Sequence, residues 1–342
     1  MKGRIWTVAV GFAALAALIA VPAAMAAYTS PKLEVTQTAA GVVVKASLDP
    51  NDDPTAAVLI VAPNGTQLTT SQAPGTVLGP VKAIVKALDL AGADLPLEGQ
   101  LIVAAPGQIP AATQAACIGP AVAPLAIWVM VLTAAGQTLQ VPTYLVKTGG
   151  ALAQIGPAVI AICLPPPDVP AGTPGRATFG AKVYSAELAI NGVFSSVAAG
   201  AWVSNWVPYT PGAGKPNPAG QVIAPAAILP GAVSLAAKRS GLGATLAGAV
   251  TQAGQARGGA SVTIFGARKA TGLKRLGKAA VATNGKFAFK AKAGTFFRAD
   301  AVATGAAAPA VCATLQPLIG AIPCVNPTVN GFVVKSKVVK KK

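Results

Sequence analysis

Glycine and proline supply 66 of the 342 residues, 37 and 29 respectively, and they punctuate short apolar runs along the whole chain. That fraction approaches the one found in low-complexity chains. Disorder is inconsistent, however, with an apolar content of 53% and with repeated polar–apolar alternation, which a solvated coil lacks. The chain reads instead as β-structure divided by Pro/Gly turns. Lys32-Leu33-Glu34-Val35-Thr36 alternates, Gly41–Ala46 is β-branched, and Ala57-Val58-Leu59-Ile60-Val61 runs into a Pro63-Asn64-Gly65 turn. Further strands are expected at Val77–Ala87, Gly99–Ala104, Ala126–Thr133 and Leu139–Val146, with Val81–Leu90 also open to a helical reading. Short strands at this spacing indicate a β-sandwich.

Pro165-Pro166-Pro167-Asp168-Val169-Pro170 marks an expected domain boundary, since consecutive prolines hold the backbone extended and supply no amide donors. Beyond it, Ala177–Tyr184, Glu187–Ile190, Val193–Ser196, Ala201–Val207 and Gln221–Ala224 read as strands, with a hairpin turn at Asn191-Gly192. These residues are few for an independent core, so packing onto the first sandwich is one expectation. A last region begins near Leu235, with strands at Leu242–Val250, Ala260–Phe265, Lys278–Ala282, Lys286–Lys290 and Phe296–Thr304. Thr283-Asn284-Gly285 is a second hairpin signal. In Lys286-Phe287-Ala288-Phe289-Lys290, period-two alternation sends the lysines to solvent and the phenylalanines to a core.

The first 26 residues have the form of a secretion signal: Lys2 and Arg4, an apolar run from Ile5 to Val21, and an Ala24-Met25-Ala26 cleavage pattern. The competing reading is an uncleaved anchor. About 316 mature residues exceed one ordinary core. The expected division is therefore residues 1–26 signal, 27–168 disulfide-closed sandwich, 169–234 small β region, and 235–342 basic domain. Cys117, Cys163, Cys312 and Cys324 are an even set in a secreted chain, which suggests two disulfides. Three pairings are open; Cys117–Cys163 and Cys312–Cys324 are preferred because each stays within its own region.

Charge is segregated. From Leu235 to Lys342 there are 17 Lys or Arg residues and one acidic residue, Asp300. From Ala27 to Ser234 there are 8 basic and 9 acidic residues. The candidate anion-binding residues are Lys238, Arg239, Arg268, Lys269, Lys274, Arg275, Lys278, Lys286, Lys290, Lys335, Lys337, Lys340, Lys341 and Lys342. So one-signed a surface attracts polyanions and releases them in salt. Outside the cytoplasm, anionic wall or surface polymers are favoured over nucleic acid as partner. The bland competitor is lysine acting only to keep an alanine-rich protein soluble.

Histidine is absent, which removes imidazole base catalysis, Ser-His-Asp systems and histidine metal ligands. No phosphate-binding glycine loop stands in a strand-to-helix context. No catalytic residue, cofactor or metal is expected, and the chain reads as a non-enzyme. Asp49, Asp52 and Asp53 form the densest acidic cluster, better suited to turn capping than to calcium. Trp202 and Trp206 share one strand face: exposed, they would stack on a sugar ring; buried, they would fill a core.

Gly243-Ala244-Thr245-Leu246-Ala247-Gly248-Ala249-Val250, Gly259-Ala260-Ser261-Val262-Thr263-Ile264-Phe265 and Ala282-Thr283-Asn284-Gly285-Lys286-Phe287-Ala288-Phe289 together resemble bacterial immunoglobulin-like and prealbumin-like surface modules. The resemblance covers about 65 residues and implies a small secreted sandwich used as a spacer or adhesive module. The expected fold is all-β, with two or three immunoglobulin-like sandwiches in tandem after the signal peptide. The expected role is non-catalytic binding at the cell surface or wall, through charge. A carbohydrate-binding adhesion module using Trp202 and Trp206, and a secreted enzyme with an unrecognised site, are the alternatives.

Overall fold

The computed structural model describes residues 28–29, 31–134, 136–149, 152–307, 328–329 and 331–342. Residues 1–26, where a secretion signal is expected, and both Cys312 and Cys324 lie outside the described residues. The protein is predominantly β. Its N-terminal unit contains β1 (Lys32–Gln37), β2 (Gly41–Ser47), β3 (Thr55–Val61), β4 (Val77–Ala87), β5 (Ala93–Val103), β6 (Ala126–Ala134), β7 (Gln137–Lys147), β8 (Ala158–Cys163), β9 (Ala181–Asn191), β10 (Gly200–Thr210) and β11 (Val222–Ile228).

These eleven strands form one continuous antiparallel ladder in the order β1-β2-β9-β4-β5-β6-β7-β8-β3-β10-β11. The sheet wraps round until β11 lies beside β1. Every strand sends alternate side chains inward, and all eleven contribute to one buried cluster. Its members include Val35, Val44, Ile60, Val85, Leu101, Trp128, Leu145, Ile160, Leu188, Trp202 and Ile228. The polar–apolar alternation expected from the sequence is therefore present, but in a single sheet that wraps round rather than in two stacked ones.

A second cluster sits on the outside, where Val61, Tyr144, Val159, Ala161 and Val203 are covered by α1 (Ala111–Ile118) and α2 (Leu152–Ile155). The Cys117–Cys163 disulfide fixes the end of α1 to the end of β8, with 5.8 Å between the Cα atoms. This is the pairing preferred from sequence. Val81–Leu90 is strand as far as Ala87, and only Leu88–Leu90 forms a helical turn.

The proline run joins two strands of the same ladder, β8 and β9. Proline cannot donate to a ladder, yet the alternating segment after it re-enters the sheet between β2 and β4. The hydrogen-bonded sheet thus crosses the boundary expected at Asp168, and residues 181–228 complete the first core. Asn191-Gly192 does turn the chain, with Gly192 at φ 71°. The segment that follows, Phe194–Ser196, pairs with Gln67–Leu68 rather than folding back on β9.

The C-terminal unit contains β12 (Gly231–Val233), β13 (Ala236–Ser240), β14 (Gly243–Gln252), β15 (Ser261–Ala267), β16 (Lys274–Ala280), β17 (Lys286–Ala291), β18 (Phe296–Ala303), β19 (Phe332–Lys335) and β20 (Val339–Lys340). One sheet places β14 between β17 and the pair β12/β13. The other runs β16-β15-β18, followed by β19 and β20 on the far edge of β18. Both sheets feed one core of Leu246, Val250, Val262, Ile264, Phe287, Phe297, Ala299, Ala301 and Phe332. The Phe287 ring lies over Gly248, where an added Cβ would come within 2.4 Å of it.

Candidate functional site

The two sheets of the C-terminal unit turn their outer faces to solvent, and cross-strand register decides which cations share a face. On the β13-β14-β17 sheet, Lys238, Thr245 and Lys290 lie in one row, and Lys286 lies further along the same face opposite Ala249. Lys286 and Lys290 are exposed while Phe287 is buried, as the alternation requires. Between the lysines this face offers only alanine and threonine.

The β16-β15-β18-β19 face is richer. Lys278, Thr263, Asp300 and Lys335 form a row across four strands. In the next row Arg275 and Arg298 flank Phe265, and beyond it Phe296 stands opposite Lys340. The alternate positions Val262, Ile264, Phe297, Ala299, Ala301 and Val334 are buried, so these polar and aromatic residues point outward. Arg298 stacks over the half-buried Phe265 ring at 4.9 Å from its centroid. It also grips Asp300 through two bonds, Nε to Oδ1 at 2.7 Å and Nη2 to Oδ2 at 3.0 Å. A bidentate charged pair of this kind fixes the guanidinium plane.

Asp300 is the only carboxylate between Leu235 and the C-terminus, and Arg298 occupies it. The cations around them therefore present nearly their full charge. The half-buried Phe265 and Phe296 rings beside a row of cations suit a polymer that carries both acidic groups and apolar surface. Arg298, Phe265 and Phe296 were not singled out from the sequence. Only the i, i+2 spacing of Phe296, Arg298 and Asp300 signals that they share a face.

Other candidates separate from this face. Arg268 and Lys269 are exposed in the turn between β15 and β16, and Lys274 opens β16. Lys337 is exposed between β19 and β20. The C-terminal lysines are stitched into the unit. The Lys341 amide donates to the Thr295 carbonyl at 2.8 Å, the Arg239 amide donates to the Lys342 carbonyl at 3.0 Å, and the Lys342 amide donates to the Ala237 carbonyl at 3.3 Å. The tail thus bridges the two sheets through its backbone.

Trp202 and Trp206 are core residues, at 0% and 4% exposure. Their strand β10 lies between β3 and β11, with positions 202, 204 and 206 facing the interior of the curled sheet. Trp202 packs edge-on against Phe194 at 5.1 Å, and Trp206 Nε1 donates to Ser204 Oγ at 2.9 Å. Stacking on an external sugar is closed to both.

The Asp49–Asp53 cluster is spent on the chain itself. Asp52 is buried and accepts from the amides of Thr29 and Asp49, at 2.9 and 3.3 Å, and from the Thr29 hydroxyl, while Asp49 accepts from the Asn51 amide at 2.8 Å. Lys182 donates to the Asp52 carbonyl, and burial pushes its pKa below the usual lysine range against the opposing pull of Asp53 and Asp52. Among the described residues no group of three or more acidic or cysteine side chains converges as for a metal ion. Glu98 borders an open depression over Gly99, but there it pairs with Lys82 at 3.8 Å with both side chains largely in solvent.

No family model matches the chain, and no curated protein or solved structure is significantly similar to it.

Proposed function

We propose that the protein is a non-catalytic secreted or cell-surface binding protein, whose C-terminal unit holds an anionic wall or surface polymer on the outer face of the β16-β15-β18-β19 sheet. The observation that carries this is the register: Lys278, Arg275, Arg298, Lys335 and Lys340 surround Phe265 and Phe296 on one face. A sheet face needs no closure to accept a polymer, and with strands about 4.8 Å apart the cations at the ends of the row Lys278-Thr263-Asp300-Lys335 stand about 14 Å from each other. The near-neutral N-terminal unit then serves as the body from which this face is displayed.

The C-terminal unit is, in this proposal, an immunoglobulin-like or prealbumin-like module. Its two facing antiparallel sheets and single core support that reading, together with the Gly-Ala-x-Val and Asn-Gly-x-Phe segments. The Asn284-Gly285 turn carries the chain from one sheet to the other, as a sandwich requires, with Asn284 Oδ1 accepting from the Lys286 amide at 3.1 Å.

The test is retention of the purified mature chain on cell-wall preparations. Elution by salt, and loss of retention when Lys278 and Lys335 are both changed to Ala, support the proposal. Salt-resistant retention, or retention unaffected by those substitutions, would sink it.

A further inference from the structure

The interior of the N-terminal unit is not filled. Near the end where β3 and β9 begin, a cavity of about 310 Å³ is enclosed by residues from most of the wrapped sheet. Val58, Val85, Leu97, Met130, Ile162 and Trp206 are among its walls. Strand number explains the space. About eight strands already enclose an interior that side chains only just fill, and the diameter grows with each strand added. An eleven-strand wrap lined largely by Val, Ala and Leu leaves a void.

The cavity has a mouth, and the proline run makes it. β8 pairs with β7 only from Thr143↔Ile162 to Lys147↔Ala158, so Gln137–Pro142 of β7 are bonded to β6 alone. Where β8 would continue alongside them, the chain reads Leu164-Pro165-Pro166-Pro167, which has no amides to extend the ladder beyond Leu164. The Leu164 amide goes to the Ala56 carbonyl on the opposite side, at 2.9 Å. A slot is left between Thr138–Val141 and the segment carrying Leu164, Pro165, Ala177 and Thr178, and all of these line the cavity.

The lining limits the chemistry. Its ionisable side chains are Arg176 and Tyr184. Arg176 is already committed: its two terminal nitrogens bond the two Asp89 oxygens at 2.7 Å each, and Nε donates to the Val169 carbonyl at 2.6 Å. What remains at the slot is uncharged and hydrogen-bonding, namely Thr138, Gln140, Thr178 and Ser185. The volume equals about ten water volumes of liquid, close to the bulk of an unbranched chain of about ten carbons. Apart from Met130, Tyr184 and Trp206 the inner wall is mostly aliphatic, and its polar atoms are engaged: Thr55 Oγ1 accepts from the Tyr28 hydroxyl at 2.9 Å and Trp206 Nε1 donates to Ser204.

We propose that this cavity binds the aliphatic chain of an uncharged single-chain amphiphile, entering through the slot with its polar end held at Thr138 and Gln140. The carbon chain fills the space under Met130 and Trp206, and the neutral Arg176–Asp89 pair at the rim gives no reward to a carboxylate or phosphate head. This binding is independent of the polymer-binding face on the C-terminal unit.

The experiment titrates the purified mature chain with 1-hexanol, 1-octanol, 1-decanol and 1-tetradecanol by calorimetry, with decanoate at neutral pH as the charged control. The expected result is one saturable site per chain, with affinity rising about fourfold for each methylene added and levelling off near ten to twelve carbons. An alcohol brominated near the end of its chain should quench tryptophan emission, and Trp206→Phe should remove most of that quenching. Ala83→Phe puts a ring into the cavity and should lower decanol affinity at least tenfold while circular dichroism shows an unchanged fold. If Ala83→Phe fails to fold, the Trp206→Phe quenching result and the chain-length cut-off decide. No saturable binding, affinity still rising through tetradecanol, decanoate binding more tightly than decanol, or quenching unaltered by Trp206→Phe would each overturn the proposal.

Discussion

Replacing Lys278 and Lys335 with alanine removes the two cations at opposite ends of the row Lys278-Thr263-Asp300-Lys335. The face carries Arg275, Lys278, Arg298, Lys335 and Lys340 against the single charge of Asp300, a net of four (five minus one). Taking about 0.7 counterion released per neutralised charge on a flexible polyanion, the slope of log K against log salt is about −3. Raising salt from about 50 to 200 mM should then cost the native protein about fiftyfold in affinity. The double variant keeps a net charge of two on the face, its slope falls to about −1.4, and the same salt step costs about sevenfold. Lys286→Ala with Lys290→Ala removes the same charge from the opposite sheet and should leave the slope near −3. Affinity for a soluble acidic polysaccharide, measured by anisotropy at four salt concentrations, reads all three slopes. Equal losses of slope in the two double variants would refute a localised face and leave only diffuse attraction to a basic unit.

Four further outcomes follow. Asp300→Asn releases Arg298 from its bidentate partner and raises the net charge of the face, so polyanion affinity should rise in the same assay. Reducing or removing the Cys117–Cys163 bond, which spans a sequence separation of 46, should cost about 4 kcal/mol by the chain-entropy estimate, read from urea midpoints with and without reductant. Burial raises the Tyr209 pKa to about 12, with the Asp168 charge adding to it, while its hydroxyl donates to the Leu164 carbonyl at 2.6 Å. The folded state therefore holds this proton more tightly than the unfolded chain. The contribution is complete below pH 10 and is lost as pH rises through about 12, a loss of about 2–3 kcal/mol that Tyr209→Phe should abolish in alkaline melts. Gly248→Val should destabilise the C-terminal unit by about 1–3 kcal/mol or more in thermal unfolding, because the new Cβ meets the Ser234 carbonyl at 2.1 Å and the Phe287 ring at 2.4 Å.

What the sequence discloses about this protein is mostly local. Period-two alternation places Phe287 inside and Lys286 outside without any knowledge of neighbours, and it marks most of the strands to within a few residues. Long-range pairing is what it hides. Asn284-Gly285 looks like an ordinary hairpin turn, yet β16 and β17 belong to different sheets, so Lys278 and Lys286 face opposite ways. The prolines after Leu164 were readable as a stretch that cannot pair. That the chain resumes pairing in the same sheet depends on β9 finding β2 and β4, more than 90 residues upstream. Trp202 and Trp206 were correctly placed on one face, and only the neighbours of β10 show that this face is the interior. Arg298 escaped notice because its meaning lies in Phe265 and Asp300, one on another strand and one two residues along. α1 has no apolar periodicity over its eight residues and is held mainly by the sheet beneath it and by Cys117.

The location of the polymer on the surface is the central claim, and lysine acylation footprinting tests it most directly. The mature chain would be labelled with a small amine-reactive reagent, free and in complex with purified wall polymer, and the modified lysines read by mass spectrometry. Protection concentrated at Lys278, Lys335 and Lys340, with Lys238, Lys286 and Lys290 labelled as in the free protein, is the predicted result. Protection of the second group instead, or uniform protection of both, would contradict the account.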